Sequence, residues 1–170
     1  MTVDDCDAVA TVRVRGWQAA YAGLMPQSYL DAMSVAEDAE KRRGFFARSA
    51  GRVTNVVAER DGTVVGWGCF GPSRDAGTTA DRSELYAIYV LPEQVATGVG
   101  RRLMEELTRR AWEAGFRGME LWVLKENDRA RTFYERAGFT PDGAEELFDV
   151  DGVPVPEVRY TRSLSGQLLS

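Results

Sequence analysis

The sequence predicts a mixed α/β fold, one sheet flanked by helices, and three observations lead there. Periodic segments along the 170 residues run α, α, β, β, β, α, β, α, β, β, an order that packs helices onto a sheet with mixed strand directions. Two Asp-Gly pairs, Asp61-Gly62 and Asp151-Gly152, each join β-rich runs and mark antiparallel hairpins. Between them, from Ser83 to Arg110, a β-prone run breaks at Pro92, passes Gly98 and Gly100, and becomes an amphipathic helix.

Each element follows in order. Thr2 and Asp5 make a capping box, because a Thr side chain caps backbone N–H groups while an acid three residues on caps in return. The helix they open carries Ala8, Val9, Val12 and Trp17 and runs to about Tyr21. Gly23 and Pro26 break the chain, after which Ser28 to Met33 and Val35 to Ala50 read as a short and a longer helix. Asn55 to Arg60 and Val64 to Phe70 form the first hairpin, and Pro72 to Arg82 is a polar loop long enough to close over a site. In the strand Ser83 to Val90, period two places Glu84, Tyr86, Ile88 and Val90 on one face and Leu85, Ala87 and Tyr89 on the other. A carboxylate in so apolar a strand is costly unless exposed or paired, so Glu84 is either a solvated strand-end residue or a functional one.

The helix after the glycine loop puts Val99, Leu103, Leu107 and Ala111 on one face and stops at Gly115. Its surface spacing predicts the pairs Glu105–Arg109 and Glu106–Arg110. Gly118 to Leu124 is a buried strand. Asn127 caps a helix ending at Gly138, with Ala130, Phe133, Tyr134 and Ala137 on one face, and Ala144 to Val150 with Val155 to Ser163 make the final hairpin. No repeat or linker divides the chain, so residues 1–170 are expected to form one domain.

Composition narrows the function. A net charge of -5 argues against nucleic acid as partner, which needs a basic face, and suits an amine better. The chain has no apolar run of membrane-spanning length, which places it in the cytoplasm with no membrane partner. It has no histidine, which removes Ser-His-Asp hydrolysis and the usual zinc sites, and no metal is expected. Cys6 and Cys69 lack metal-ligand spacing and read as small buried residues. At the glycine loop, unpartnered N–H groups and the positive end of the helix dipole can hold a phosphate. Neither common nucleotide motif fits. A dinucleotide fingerprint needs glycine where Leu103 stands, and a phosphate loop of the NTPase type needs Gly-Lys-Ser/Thr, whereas Gly100 precedes Arg101 and Arg102.

What the loop resembles is the acyl-CoA motif of the GNAT superfamily of N-acetyltransferases, Gln/Arg-x-x-Gly-x-Gly/Ala after a strand and a Pro-Glu pair. Pro92, Glu93, Gly98, Val99, Gly100 and Arg101 match. Val95 stands where Gln or Arg is usual, and Ala96 where glycine is frequent. The run from Asn127 to Phe139 resembles the second signature, Asn-x-x-Ala-x-x-Phe-Tyr-x-x-x-Gly-Phe, at every fixed position. The order and separation of the two signatures are also those of the superfamily.

That resemblance implies a mostly antiparallel sheet whose two central parallel strands, Ser83 to Val90 and Gly118 to Leu124, splay to admit the pantetheine arm. It also implies that the usual first strand is truncated or missing, since only Met1 to Val3 precede the first helix. Acetyl-CoA is the implied co-substrate, held by Ile88, Tyr89 and Val90 on the strand, by Val95, Ala96, Thr97, Gly98, Val99, Gly100 and Arg101 in the loop, and by Asn127 and Tyr134. The implied reaction is direct attack of an amine on the thioester, without a covalent enzyme intermediate. Glu84 would then be general base, often through water, and would face the acceptor; Tyr134 would be general acid. Trp17 and Tyr21, one turn apart, lie in the region that walls the acceptor site in the superfamily; as residues they read equally as core aromatics. A silent acyl-CoA-binding module and a dimer formed through the sheet edge or last hairpin remain the other readings.

Overall fold

The computed structural model describes residues 1–75 and 77–165. Ala76, within the expected loop, and residues 166–170, within the expected domain, lie outside the described residues. A single turn, Val3–Asp5, leads into helix α1 (Cys6–Ala20). The Thr2 N–H donates to the Asp5 carboxylate at 2.6 Å, which is the acid's half of the expected capping box. Helices α2 (Gln27–Ala32) and α3 (Val35–Arg48) follow, the second capped by Ser34, whose hydroxyl accepts from the Glu37 N–H. Then come β1 (Thr54–Arg60), β2 (Thr63–Pro72), β3 (Arg82–Val90), α4 (Val99–Glu113), β4 (Gly118–Leu124), α5 (Asp128–Arg136), β5 (Thr140–Val150) and β6 (Val153–Ser163). No strand precedes α1 among the described residues, so the six-stranded sheet lacks the usual first strand.

The strands lie in the order β1-β2-β3-β4-β6-β5, and only the β3–β4 pair is parallel. Both hairpins turn at Asp-Gly as expected: Asp61 and Gly62 have φ 51° and 75°, Asp151 and Gly152 φ 51° and 80°. Helix α4 packs on one face of the sheet and α1 on the other. Gly66 and Gly68 allow α4 its approach, because a Cβ at either would come within 2.9 Å of Leu103 or 2.6 Å of Leu107. The main core includes Val9, Val12, Trp67, Leu107, Met119 and Tyr160, and a smaller one gathers Trp17, Met25, Leu30, Leu124, Val150 and Val155. On the surface of α4, Glu106 pairs with Arg110 at 2.6 Å, but the expected Glu105–Arg109 pair does not form. Arg109 instead pairs with Glu106 and Glu113, and Glu105 with Arg101, since a long side chain has acceptors at three- and four-residue spacing in both directions.

Strand β3 departs from simple alternation. Consecutive residues Cys69 and Phe70 on β2 pair with Ala87 and Leu85, so β3 carries an extra residue at Tyr86. The extra residue reverses parity between the two halves of the strand. Glu84 pairs with Gly71 and Tyr89 with Trp67, and Gly71 and Trp67 are four apart on β2; Glu84 therefore shares the face of Tyr89, toward α1. Ile88 and Val90 face α4, as their contacts at Gly68 and Gly66 show. The expected grouping of Glu84 with Ile88 and Val90 is corrected by this bulge, which a strict period of two does not anticipate.

Candidate functional site

β3 and β4 are in register only at Arg82–Gly118, Ser83–Met119 and Glu84–Glu120, after which they diverge. Leu91 N–H bonds the Val65 carbonyl toward β2, so alternation turns the backbone groups of Val90 and Ile88 into the gap. Beside the gap lies a cleft of about 1130 Å³. Its floor is the splayed end of β3, its walls are α1, α4 and α5, and its rim is the loop after β3.

That loop presents an anion cradle. Gly98 adopts φ 89° as N-cap of α4, a conformation that disfavours any Cβ. The N–H groups of Gly98, Val99, Gly100 and Arg101 have no backbone acceptor among the described residues, and they stand at the positive end of a 15-residue helix. A pyrophosphate fits these donors, and a pantetheine amide chain fits the unpaired edge of β3. Ala96 has φ 64°, the left-handed conformation that explains why glycine is frequent there. Relieving a non-glycine residue of that conformation is worth about 1–2 kcal/mol, against about 0.4–1 kcal/mol lost to a freer unfolded chain. Ala96→Gly is therefore expected to raise stability by about 0.5–1 kcal/mol, read as a higher urea midpoint at unchanged slope.

Of the residues expected to hold the cofactor, Ile88, Tyr89, Val90, Val95, Ala96, Gly98, Gly100, Arg101, Asn127 and Tyr134 line the cleft. Thr97 and Val99 do not: the Thr97 hydroxyl donates to the Gln94 carbonyl, and the Val99 side chain joins the core. Arg101 is exposed and paired with Glu105 at 3.1 Å. The side-chain oxygen of Asn127 caps α5 by accepting from the Ala130 N–H at 3.1 Å.

At the inner end of the cleft stand three phenols. Tyr134 packs edge-on against Phe133 and Phe139, and its hydroxyl has no hydrogen-bond partner among the described residues. Burial, with Tyr89 adding, raises its pKa well above the ordinary phenol value. Tyr21 and Tyr89 share a hydrogen bond of 3.0 Å, and burial holds both protonated. Trp17 lies outside the cleft, its ring edge-on to Tyr21 at 4.9 Å and packed in the smaller core, so of the two aromatics only Tyr21 is presented to the cavity.

Glu84 also lies outside the cleft. It is buried at the root of the splay, accepting from the Arg74 backbone N–H at 3.0 Å and from its guanidinium. Arg74 belongs to a loop tied down by three consecutive residues. The Ser73 hydroxyl donates to Glu120 on β4, Arg74 pairs with Glu84 on β3, and Asp75 accepts from Arg159 on β6 at 2.7 Å. The sequence reasoning missed two groups here, Arg74 and Glu157. Glu157 sits on β6 in register with Leu124 of β4 and Glu146 of β5, on the same side of the sheet as Glu84 and Glu120. Burial first, then Glu146, pushes its carboxyl up to about 7, with Arg74 opposing. No signal in the sequence marks Glu157: alternation along Val155 to Ser163 puts it on a face with Arg159 and Thr161, where an acid reads as solvated.

Residues 17–139 match the model of the Acetyltransferase (GNAT) family. The uncharacterized N-acetyltransferase YuaI of Bacillus subtilis (strain 168) is 32% identical over 157 residues, which span 92% of this chain and 86% of YuaI. The spermidine N(1)-acetyltransferase of Thermoplasma acidophilum is 23% identical over 155 residues, 89% of each chain. Among solved structures, the PaiA N-acetyltransferase from Thermoplasma acidophilum in complex with coenzyme A superposes with a TM-score of 0.73. The match is 22% identical and spans 96% of this chain and 95% of that one. The chain belongs to the GNAT family, and as a member it is an acetyl-CoA-dependent acetyltransferase.

Proposed function

We propose that the protein transfers the acetyl group of acetyl-CoA to a primary amine that carries positive charge, by direct attack in a ternary complex. The observation that carries this reading is the charge on the α1 side of the sheet, from the root of the splay at Glu84 and Glu120 to its mouth at Glu157, the register partner of Leu124. There the carboxylates of Glu84, Glu120, Glu146, Glu157, Asp75 and Asp142 stand against two guanidiniums, Arg74 and Arg159. A cationic acceptor is drawn to such a face and an anionic one repelled. Acetyl-CoA supplies the thioester; the α4 N-terminus would bind its pyrophosphate and the free edge of β3 its pantetheine arm. The Val90 N–H, turned into the gap, supports polarisation of the thioester carbonyl. Tyr134, protonated at neutral pH and without a competing partner, supports protonation of the departing sulfur. Proton removal from the acceptor falls to an acid on the α1 side, where Glu84 holds the strand position that the resemblance marks.

A turnover screen that reads free-thiol release tests the reading. Polyamines and other cationic amines are expected to exceed amines carrying a carboxylate by at least about tenfold in kcat/KM. Acetyl-CoA binding without thiol release across the panel would leave only a binding module.

A further inference from the structure

We propose that Glu157 on β6 is the carboxylate that takes the proton from the acceptor's ammonium group, while Glu84 is a positioning residue that anchors Arg74. The inference rests on the acetyltransferase reading above. The two acids differ in what their oxygens already do. Both oxygens of Glu84 are engaged by Arg74, and the side chain is buried. Glu157 is half-buried and forms no hydrogen bond or ion pair among the described residues. Its place is also the right one. It is close enough to Tyr21 for its charge to act on that phenol, and Tyr21 is hydrogen-bonded to Tyr89 in the cleft wall opposite Tyr134. Leu124, the register partner of Glu157, packs in the same cluster as Tyr21 and Tyr89, so an amine nitrogen held between Tyr21 and the mouth of the splay has the unengaged Glu157 carboxylate beside it on β6.

The chemistry balances. The ammonium gives one proton to Glu157, the nitrogen forms its bond to the acetyl carbon, and the carbon–sulfur bond breaks. Tyr134 gives its proton to the sulfur and recovers the second nitrogen proton, while Glu157 releases its own to solvent. A base whose pKa lies near the working pH is the efficient one for this task. Burial and Glu146 push the Glu157 carboxyl up to about 7, Glu84 adds to the rise, Arg74 opposes it, and Arg159 two residues on is occupied by Asp75 and Asp142. Relative to an ordinary carboxylate this raises the equilibrium constant for direct proton transfer from the ammonium to the carboxylate by roughly a few hundredfold.

The experiment compares the wild type with Glu157→Gln, Glu157→Asp and Glu84→Gln, using the best amine from the screen and saturating acetyl-CoA. Wild-type kcat/KM is expected to rise through an apparent pKa near 7 and again near the amine's own pKa. Glu157→Gln should lose the first rise and fall about 10²-fold or more at pH 7.5, Glu157→Asp should regain part of it, and Glu84→Gln should keep it. Thermal unfolding against pH gives a second readout that does not depend on turnover. Charging a buried carboxyl opposes folding, so the wild type loses stability as pH rises from about 4.5 to about 7, the window set by the raised value. Glu157→Gln should match wild type near pH 5 and exceed its Tm by about 4–8 °C near pH 8. Survival of the rise near pH 7 in Glu157→Gln, or its loss in Glu84→Gln, overturns the proposal. Absence of turnover by the wild type with every amine would instead remove the acetyltransferase reading and this one with it.

Discussion

Replacing Tyr134 by phenylalanine is expected to lower kcat by roughly 10²- to 10⁴-fold while leaving acetyl-CoA affinity within about twofold. The two halves of the side chain contribute separately. The ring is held by Phe133 and Phe139 at centroid distances of 5.4 and 6.2 Å, contacts that a phenylalanine keeps. The hydroxyl has no hydrogen-bond partner among the described residues, so its loss orphans no buried group and should shift stability by no more than about 0.5 kcal/mol. Its use comes only when charge develops on sulfur. A thiol of pKa about 8.5 leaves as thiolate unless a proton is supplied, and a phenol kept protonated by burial supplies it. Steady-state kinetics and calorimetry on one variant separate the two effects, and full activity in Tyr134→Phe would end the acid assignment.

The second large effect is expected at Gly100. Unlike Gly98 it has ordinary helical backbone, and a Cβ there would meet Phe133 at 3.5 Å, normal contact. Gly100→Val should therefore fold, with unchanged circular dichroism. Its methyl groups, however, would stand over the N–H groups of the first turn of α4, where the pyrophosphate is proposed to lie. Hydrogen bonds to charged groups contribute about 1.5–3 kcal/mol each, so losing one or two weakens binding by roughly 10- to 10⁴-fold. Titration calorimetry with acetyl-CoA measures it, and an unchanged dissociation constant would remove the loop from the site.

How much of this was legible depends on how local each determinant is. The hairpins, the α5 cap at Asn127 and the loop into α4 were read correctly because each is set by a few adjacent residues with one backbone solution: Asp-Gly turns, a side-chain cap, glycine at positive φ. The face of Glu84 was not legible, because the bulge at Tyr86 arises from pairing with β2 and leaves no trace in the alternation. Thr97 and Val99 were expected at the cofactor from their place in a motif. Motif position fixes the backbone path, while side-chain direction follows helix phase, which sends Val99 into the core. Arg74 and Glu157 lie 83 positions apart and on segments without a motif, so only the folded sheet brings their charges together.

The loop residues 73 to 75, bound in turn to β4, β3 and β6, fasten the narrow end of the gap from outside. A wedge whose apex is pinned opens at an angle set in advance, and its mouth widens only by bending strands, not by sliding one past another. Slippage by one residue would exchange the faces of every side chain on β4, and three cross-ties on successive residues oppose it. The ligand thus meets a slot already cut to width. Little binding free energy is diverted to parting the strands, and the rate of capture is governed by encounter and orientation rather than by the sheet's own motion.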